Sequence, residues 1–254
     1  MLLAVLLMAN AIAGRAEETL FAEVIPLVAR AKDAPKELKL KPNDKIVTLG
    51  DSITAAGNYQ RYIEQVLAWN YPHLNAPKLL NAGISGNKAE NMIARFDKDV
   101  LARKPTIVTI NVGINDVWHR VNKPHENDVL KAYRDNVATM VDKAQAAGVR
   151  VILLAPTIIK EDPKAEGNFR LPLYVAAMRK IAADKNCQFV DLHAMFLQAL
   201  KHKPANETGN WLTTDGVHMK PFGNAIMALG ILRALGVPDE KSASTLIVTP
   251  AKKK

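Results

Sequence analysis

Cysteine is nearly absent: Cys187 is the only one in 254 residues. A lone thiol can neither close an intramolecular disulfide nor build a cysteine-based metal site, so a small apolar residue packed in the core is its expected role. Aromatic residues make up only 6 % of the chain. No apolar run approaches the roughly 20 residues needed to span a bilayer, which excludes a polytopic membrane protein. Gly-x-Gly-x-x-Gly and Walker loops are missing, which argues against dinucleotide and nucleotide binding. The absence of His-Glu-x-x-His leaves no metal centre to expect, and without Gly-x-Ser-x-Gly the α/β-hydrolase elbow is not met. Neither a metal nor another cofactor is expected, and no internal repeat is visible.

What is present is an ordinary globular composition, 48 % hydrophobic and 23 % charged. At roughly 100–200 residues per domain, the length suits one α/β domain. The 34 basic and 25 acidic residues leave a net charge of +9, which favours anionic partners in general. The lysines, however, gather between Lys32 and Lys45, where Asp33, Glu37 and Asp44 interrupt them, and in Lys252–Lys254. Without an arginine stripe and interleaved aromatics, no nucleic-acid partner is expected.

Met1–Met8 is a short apolar run followed by Ala11-Ile12-Ala13, the small-x-small form of a signal-peptidase site. Residues 1–13 therefore read as a signal peptide, and the product as secreted or periplasmic. The run ends at Arg15 and no cysteine lies directly after it, so no stable membrane anchor is expected. Residues 14–44 read as an N-terminal helical and linker segment, with a helical tendency over Glu17–Ala31 and a charged connector holding Pro35 and Pro42. The folded domain is expected over 45–238 and a loose basic tail over 239–254. A monomer is expected.

Within that domain, β-rich apolar runs at 46–49, 78–81, 107–111, 149–154 and 188–191 alternate with helical stretches at 59–70, 89–102, 126–147, 173–185 and 222–235. This alternation predicts a flavodoxin-like three-layer α/β/α sandwich around a five-stranded parallel sheet of order 2-1-3-4-5. Ligands in such a fold bind beyond the carboxyl ends of the strands.

The first strand delivers Gly50-Asp51-Ser52-Ile53 to that edge, the second Asn81-Ala82-Gly83-Ile84-Ser85-Gly86-Asn87, and the third Gly113-Ile114-Asn115-Asp116. Asp215-Gly216-Val217-His218 precedes the last helix. A serine hydroxyl is a weak nucleophile at neutral pH, and a neutral imidazole can take its proton during attack. His218 would serve Ser52 in this way, and Asp215 would orient the ring and stabilise the imidazolium. The backbone N–H groups of Gly83 and Ser52 and the Asn115 amide are the candidate oxyanion donors.

These blocks, in this order from Gly50 to His218, resemble the SGNH hydrolases, also called the GDSL esterase/lipase superfamily. Ile53 stands where the family usually has Leu, and Lys220 where many members carry Asn. The resemblance implies Ser52 as nucleophile, Asp215 and His218 as its partners, and an oxyanion hole of Ser52, Gly83 and Asn115. Asp51, Asp116, Trp118 and Trp211 lie beside these motifs and are expected to line the substrate cleft. His73, His119, His125 and His202 read as solvated loop residues, and Asp191-Leu192-His193 as strand-end structure. The expected function is a secreted serine esterase that removes short acyl groups, acetyl above all, from a small-molecule or polysaccharide ester. Lysophospholipase or thioesterase action on longer chains is the alternative within the family, and a non-catalytic flavodoxin-like glycan-binding module the alternative outside it.

Overall fold

The structure, a computed structural model, describes residues 16–18, 20–28, 37–75 and 79–249. The signal-peptide reading of residues 1–13 lies outside them, as does Lys252–Lys254. A short strand β1 (Ala16–Glu18) and helix α1 (Leu20–Val24) come first. Five strands then form the central sheet: β2 (Ile46–Gly50), β3 (Leu80–Gly83), β4 (Ile107–Asn111), β5 (Arg150–Leu154) and β6 (Gln188–Val190). All pair in parallel, in the order β3-β2-β4-β5-β6. Counted within the sheet this is 2-1-3-4-5, the order anticipated from the sequence.

Every residue of β2 and β4 is buried. Strands buried along their whole length need cover on both faces, and the helices supply it. On one side α4 (Ala89–Asp99), α6 (Asn127–Ala146) and α7 (Glu166–Asp184) pack in succession. On the other, α9 (Pro221–Ala234) packs against α1, α3 (Asn58–Asn70) and α8 (Leu192–Leu200). The single turn α2 (Ser52–Ala55) and the short α5 (Ile114–Trp118) sit at the carboxyl edge of the sheet. Because Gly50 pairs with Gly83 and Leu49 with Ile110, the segments leaving β2, β3 and β4 emerge side by side.

Three expectations change. The helical and linker segment of residues 14–44 is not separate from the folded domain: Leu20, Phe21 and Val24 are buried in the core. The chain after Pro238 is not loose over its described length, since it forms α10 (Asp239–Ala243) and β7 (Ile247–Thr249), and β7 pairs antiparallel with β1. Ile247 is fully buried, so the terminal strand has a core contact to hold it. Finally, α7 starts at Glu166 rather than Leu173 and runs through Pro172. Proline removes a helix N–H and is disfavoured there. The early turns are nevertheless tied down by Asn168, which exchanges hydrogen bonds with the Ile159 backbone, and by Arg170, which donates to the Arg120 carbonyl.

Candidate active site

Ser52 opens α2 directly after β2. Asp51 is the N-cap, its Oδ1 accepting from the Ile53 N–H at 3.0 Å, the stabilising arrangement for an orphan helix donor. The turn is tight: a Cβ at Gly50 would lie 2.0 Å from Thr54 Oγ1. The serine hydroxyl is therefore presented by a stiff strand-to-helix corner.

The loop before α9 meets that corner. His218 Nε2 lies 2.8 Å from Ser52 Oγ, and His218 Nδ1 lies 2.6 Å from Asp215 Oδ2. The other carboxylate oxygen of Asp215 accepts from the Val217 N–H at 3.0 Å and the His218 N–H at 2.9 Å. Burial alone would raise the Asp215 carboxyl, but these backbone bonds, the ring contact and the His218 charge outweigh it and hold it down to about 2. Asp215 thus stays ionised beside the imidazole, and the three groups form one chain able to carry a proton from the hydroxyl to the ring.

Asn115, on α5, is buried, and its Nδ2 donates to the Asn87 carbonyl at 3.1 Å. That bond orients the amide and occupies only one of its two hydrogens. Gly83 is placed differently from expectation. Its N–H donates to Asn81 Oδ1 at 2.8 Å, and a Cβ there would lie 2.2 Å from the Ala55 nitrogen, so this glycine allows β3 to pack against α2. The glycine that reaches the site is Gly86. It lines a cavity of about 380 Å³ together with Ser52, Ser85, Asn115, Trp118, His119, Asp215, Val217 and His218. Its φ is +77°, with no atom within 4 Å of where a Cβ would stand.

Of the four residues expected to line the cleft, only Trp118 does. Asp51 and Asp116 are buried behind it, each with one carboxyl oxygen that has no hydrogen-bond partner. Burial pushes Asp51 up to about 6, against the Ile53 N–H bond and the His218 charge. It pushes Asp116 up to about 7, against the Ala89 N–H bond and Lys88 and helped by Asp51. Trp211 packs on Phe222 with ring centroids 5.4 Å apart, away from the Ser52 cavity. His119, expected as a plain loop residue, lines that cavity. Asp191 and His193 are structural: Asp191 caps α8 through the Ala194 N–H, and His193 Nδ1 meets the Thr157 carbonyl.

Residues 48–226 match the model of the GDSL-like Lipase/Acylhydrolase family. The chain belongs to this family. It is 30 % identical over 218 residues to an acetylxylan esterase of Geobacillus stearothermophilus, a match covering 78 % of this chain and 97 % of that one. The crystal structure of an acetylxylan esterase from the same organism superposes with a TM-score of 0.70 at 29 % identity, over 80 % of this chain and 98 % of that one. A second acetyl xylan esterase structure gives 0.68 at 32 % identity, over 75 % and 98 %.

The protein is thus a carboxylic ester hydrolase of the SGNH, or GDSL, type. What the motifs of this GDSL hydrolase left open was the inside of its second block. Gly83 and Gly86 stand three residues apart, and local sequence gives both the same reason to exist. The choice is made by the turn at Ile84–Asn87, whose Ile84 N–H pairs with the Gly50 carbonyl and whose Asn87 N–H pairs with the Ile84 carbonyl, leaving Gly86 at the cavity wall.

Proposed function

We propose that this GDSL hydrolase is a secreted serine esterase that removes acetyl groups from carbohydrate esters through an acyl-enzyme. Ser52 attacks the ester carbonyl while His218 Nε2 accepts its proton. Asp215 holds the ring and stabilises the imidazolium. The protonated His218 then delivers the proton to the departing alcohol, and water repeats the sequence to free acetate. The oxyanion is met by the Ser52 N–H, the second hydrogen of Asn115 Nδ2 and the N–H of Gly86, which replaces Gly83 in this role. The observation that carries the reading is the unbroken Asp215–His218–Ser52 chain, at 2.6 and 2.8 Å.

Two further features support short acyl groups on a sugar. The cavity is small, with Trp118 and Val217 among its lining residues, and an indole face suits the apolar side of a sugar ring. The relatives named above are acetylxylan esterases. Export is inferred from Met1–Ala13. N-terminal sequencing of the protein recovered from periplasm or medium should start after Ala13, and recovery with Met1 intact would overturn it.

The catalytic reading is tested with p-nitrophenyl acetate and acetylated xylan, using the wild type and a folded Ser52→Ala variant. Turnover should fall by several orders of magnitude in the variant. Rates on p-nitrophenyl esters should drop as the acyl chain lengthens beyond butyryl. Equal rates for wild type and variant would remove Ser52 as nucleophile, and a preference for octanoyl over acetyl would point to lipid or thioester substrates.

A further inference from the structure

The loop that carries Asp215 and His218 is irregular over residues 209–220, apart from a single bridge between Thr213 and Met219. An irregular loop holds two groups in reacting geometry only if its backbone donors are taken up. The N–H groups of Thr214, Val217, His218 and Lys220 find acceptors within the loop, and those of Trp211, Leu212 and Thr213 go to a single side chain outside it. Glu161, in the segment between β5 and α7, accepts at Oε1 from the N–H of Leu212 (2.7 Å), the N–H of Thr213 (2.6 Å) and the hydroxyl of Thr213 (2.8 Å). Its Oε2 accepts from the N–H of Trp211 (2.6 Å). Four donors thus converge on one carboxylate from three successive residues, about 50 positions away in sequence.

The contact extends to the catalytic aspartate. The Thr213 hydroxyl that donates to Glu161 also accepts the Gly216 N–H at 3.1 Å. The carbonyl of Gly216 accepts the Lys160 N–H at 2.7 Å. The residue next to Asp215 is therefore held at its N–H through Glu161 and Thr213, and at its carbonyl by the neighbour of Glu161. The fit is close: Gly216 has φ +98°, and a Cβ there would lie 3.0 Å from Lys160 Cα. The mount is itself stiff. Asn168 of α7 accepts from the Ile159 N–H at 2.9 Å and donates to the carbonyls of Ile159 and Asp162 at 2.7 and 2.8 Å. A Cβ at Gly167 would lie 2.8 Å from Ile159 Cγ2.

We infer that Glu161 is a positioning residue for the acid–base pair: its carboxylate clamps the Trp211–Thr213 backbone and, through Thr213 and Gly216, fixes where Asp215 holds His218 against Ser52. This rests on the serine-esterase reading. Glu161 does not touch the reacting atoms, so its loss should act on turnover and leave acetate-ester binding in place. Misplacing a catalytic group by about an ångström can cost on the order of 100-fold in rate.

The test compares Glu161→Ala, Glu161→Gln, Thr213→Val and Ser52→Ala with the wild type on p-nitrophenyl acetate, well below each variant's melting temperature. Folding is checked by circular dichroism. The downfield proton resonance of the His218 Nδ1–H bonded to Asp215 is followed by NMR. Glu161→Ala should lower kcat roughly 10- to 100-fold with KM within about twofold, and should broaden or abolish that resonance. Glu161→Gln keeps one carbonyl oxygen for the three donors at Oε1 and should recover most of the rate. Thr213→Val removes the hydroxyl's bonds to Glu161 and to the Gly216 N–H while leaving the three backbone N–H bonds to Glu161 in place; it should lower kcat at least about fivefold by the same loss of positioning. A folded Glu161→Ala enzyme with wild-type kcat and resonance overturns the inference, as does a loss carried mainly by KM. Should Glu161→Ala not fold, Thr213→Val decides: unchanged kcat there overturns it. Activity remaining in Ser52→Ala would instead remove the serine-esterase reading, whereas an inactive Ser52→Ala beside an unimpaired Glu161→Ala removes only the clamp.

Discussion

Arg95 reaches from α4 to the carbonyl oxygen of Gly50, to which its Nη2 donates at 3.1 Å. The same guanidinium donates through Nε to Asn87 Oδ1 at 2.7 Å and through Nη1 to Asp99 Oδ2 at 2.9 Å. One cation therefore joins the end of β2, just before Asp51 and Ser52, to the turn after β3. The backbone carbonyl of Asn87 in turn holds the Asn115 amide. The Ser52 side and the Asn115 side of the cavity are thus tied through one guanidinium, beside the Ile84 N–H bond to the same Gly50 carbonyl.

Cutting that tie should be felt in both stability and turnover. The Arg95 side chain is only 13 % exposed, and hydrogen bonds to charged groups contribute about 1.5–3 kcal/mol each. Arg95→Ala should lower unfolding free energy by about 2–4 kcal/mol, since Asp99 is also left without its partner. It should reduce kcat at least about tenfold through loss of positioning. Arg95→Lys should recover only part, because an ammonium cannot reproduce the guanidinium's divergent donors. Urea unfolding and steady-state kinetics on p-nitrophenyl acetate measure both. Wild-type kcat in Arg95→Ala would show that the tie serves stability alone.

The two glycines of the second block should respond in opposite ways. Gly83→Ala puts a Cβ 2.2 Å from a backbone nitrogen of α2, a collision no side-chain rotation relieves, so its main effect should be loss of folded protein. Gly86→Ala meets no atom and carries only the strain of a positive φ, about 1 kcal/mol. It should stay folded while kcat falls, because the N–H proposed as an oxyanion donor shifts. Melting temperature read beside kcat separates the cases. A stable, inactive Gly83→Ala with a fully active Gly86→Ala would return the oxyanion role to Gly83.

Stability should fall as pH rises from about 4 to about 7. Burial raises Asp116 to about 7 and Asp51 to about 6, from 3.8 in each case. Across this window the unfolded chain releases protons that the folded protein retains, so ionising the buried carboxyls costs folding free energy, and the loss levels off above about 7. Asp215 acts with the opposite sign. Its carboxyl is held down to about 2, so its contribution is present above about 4 and lost as pH drops toward 2; its exposure keeps that contribution small. Asp116→Asn should remove a large part of the decline between about pH 4 and 7 in urea titrations. An equally steep decline in Asp116→Asn would exclude this carboxyl as its source.

The sheet was legible in the chain because β-rich apolar runs such as Ile46–Leu49 and Ile107–Asn111 state their own demand for burial on both faces. Their alternation with helical stretches leaves few ways to connect them. The Ser52, Asn115 and Asp215–His218 motifs were equally legible, since each lies next to a strand end or a helix start that the same pattern locates. Other features depend on which backbone lies opposite, and only tertiary structure decided them. Gly83 packs beneath α2 while Gly86 borders the cavity because the turn after β3 bends between them. Trp118 reaches the cavity and Trp211 is taken up by Phe222. Helix α7 runs through Pro172 because Asn168 and Arg170 find partners on other loops. Ile247, which composition alone left in a loose tail, is buried in the core. Glu161, about 50 residues from Thr213, carries no signature in its neighbourhood. Periodicity reports what each segment must bury or expose, whereas a hydrogen bond between distant loops exists only once the folded sheet has set where those loops stand.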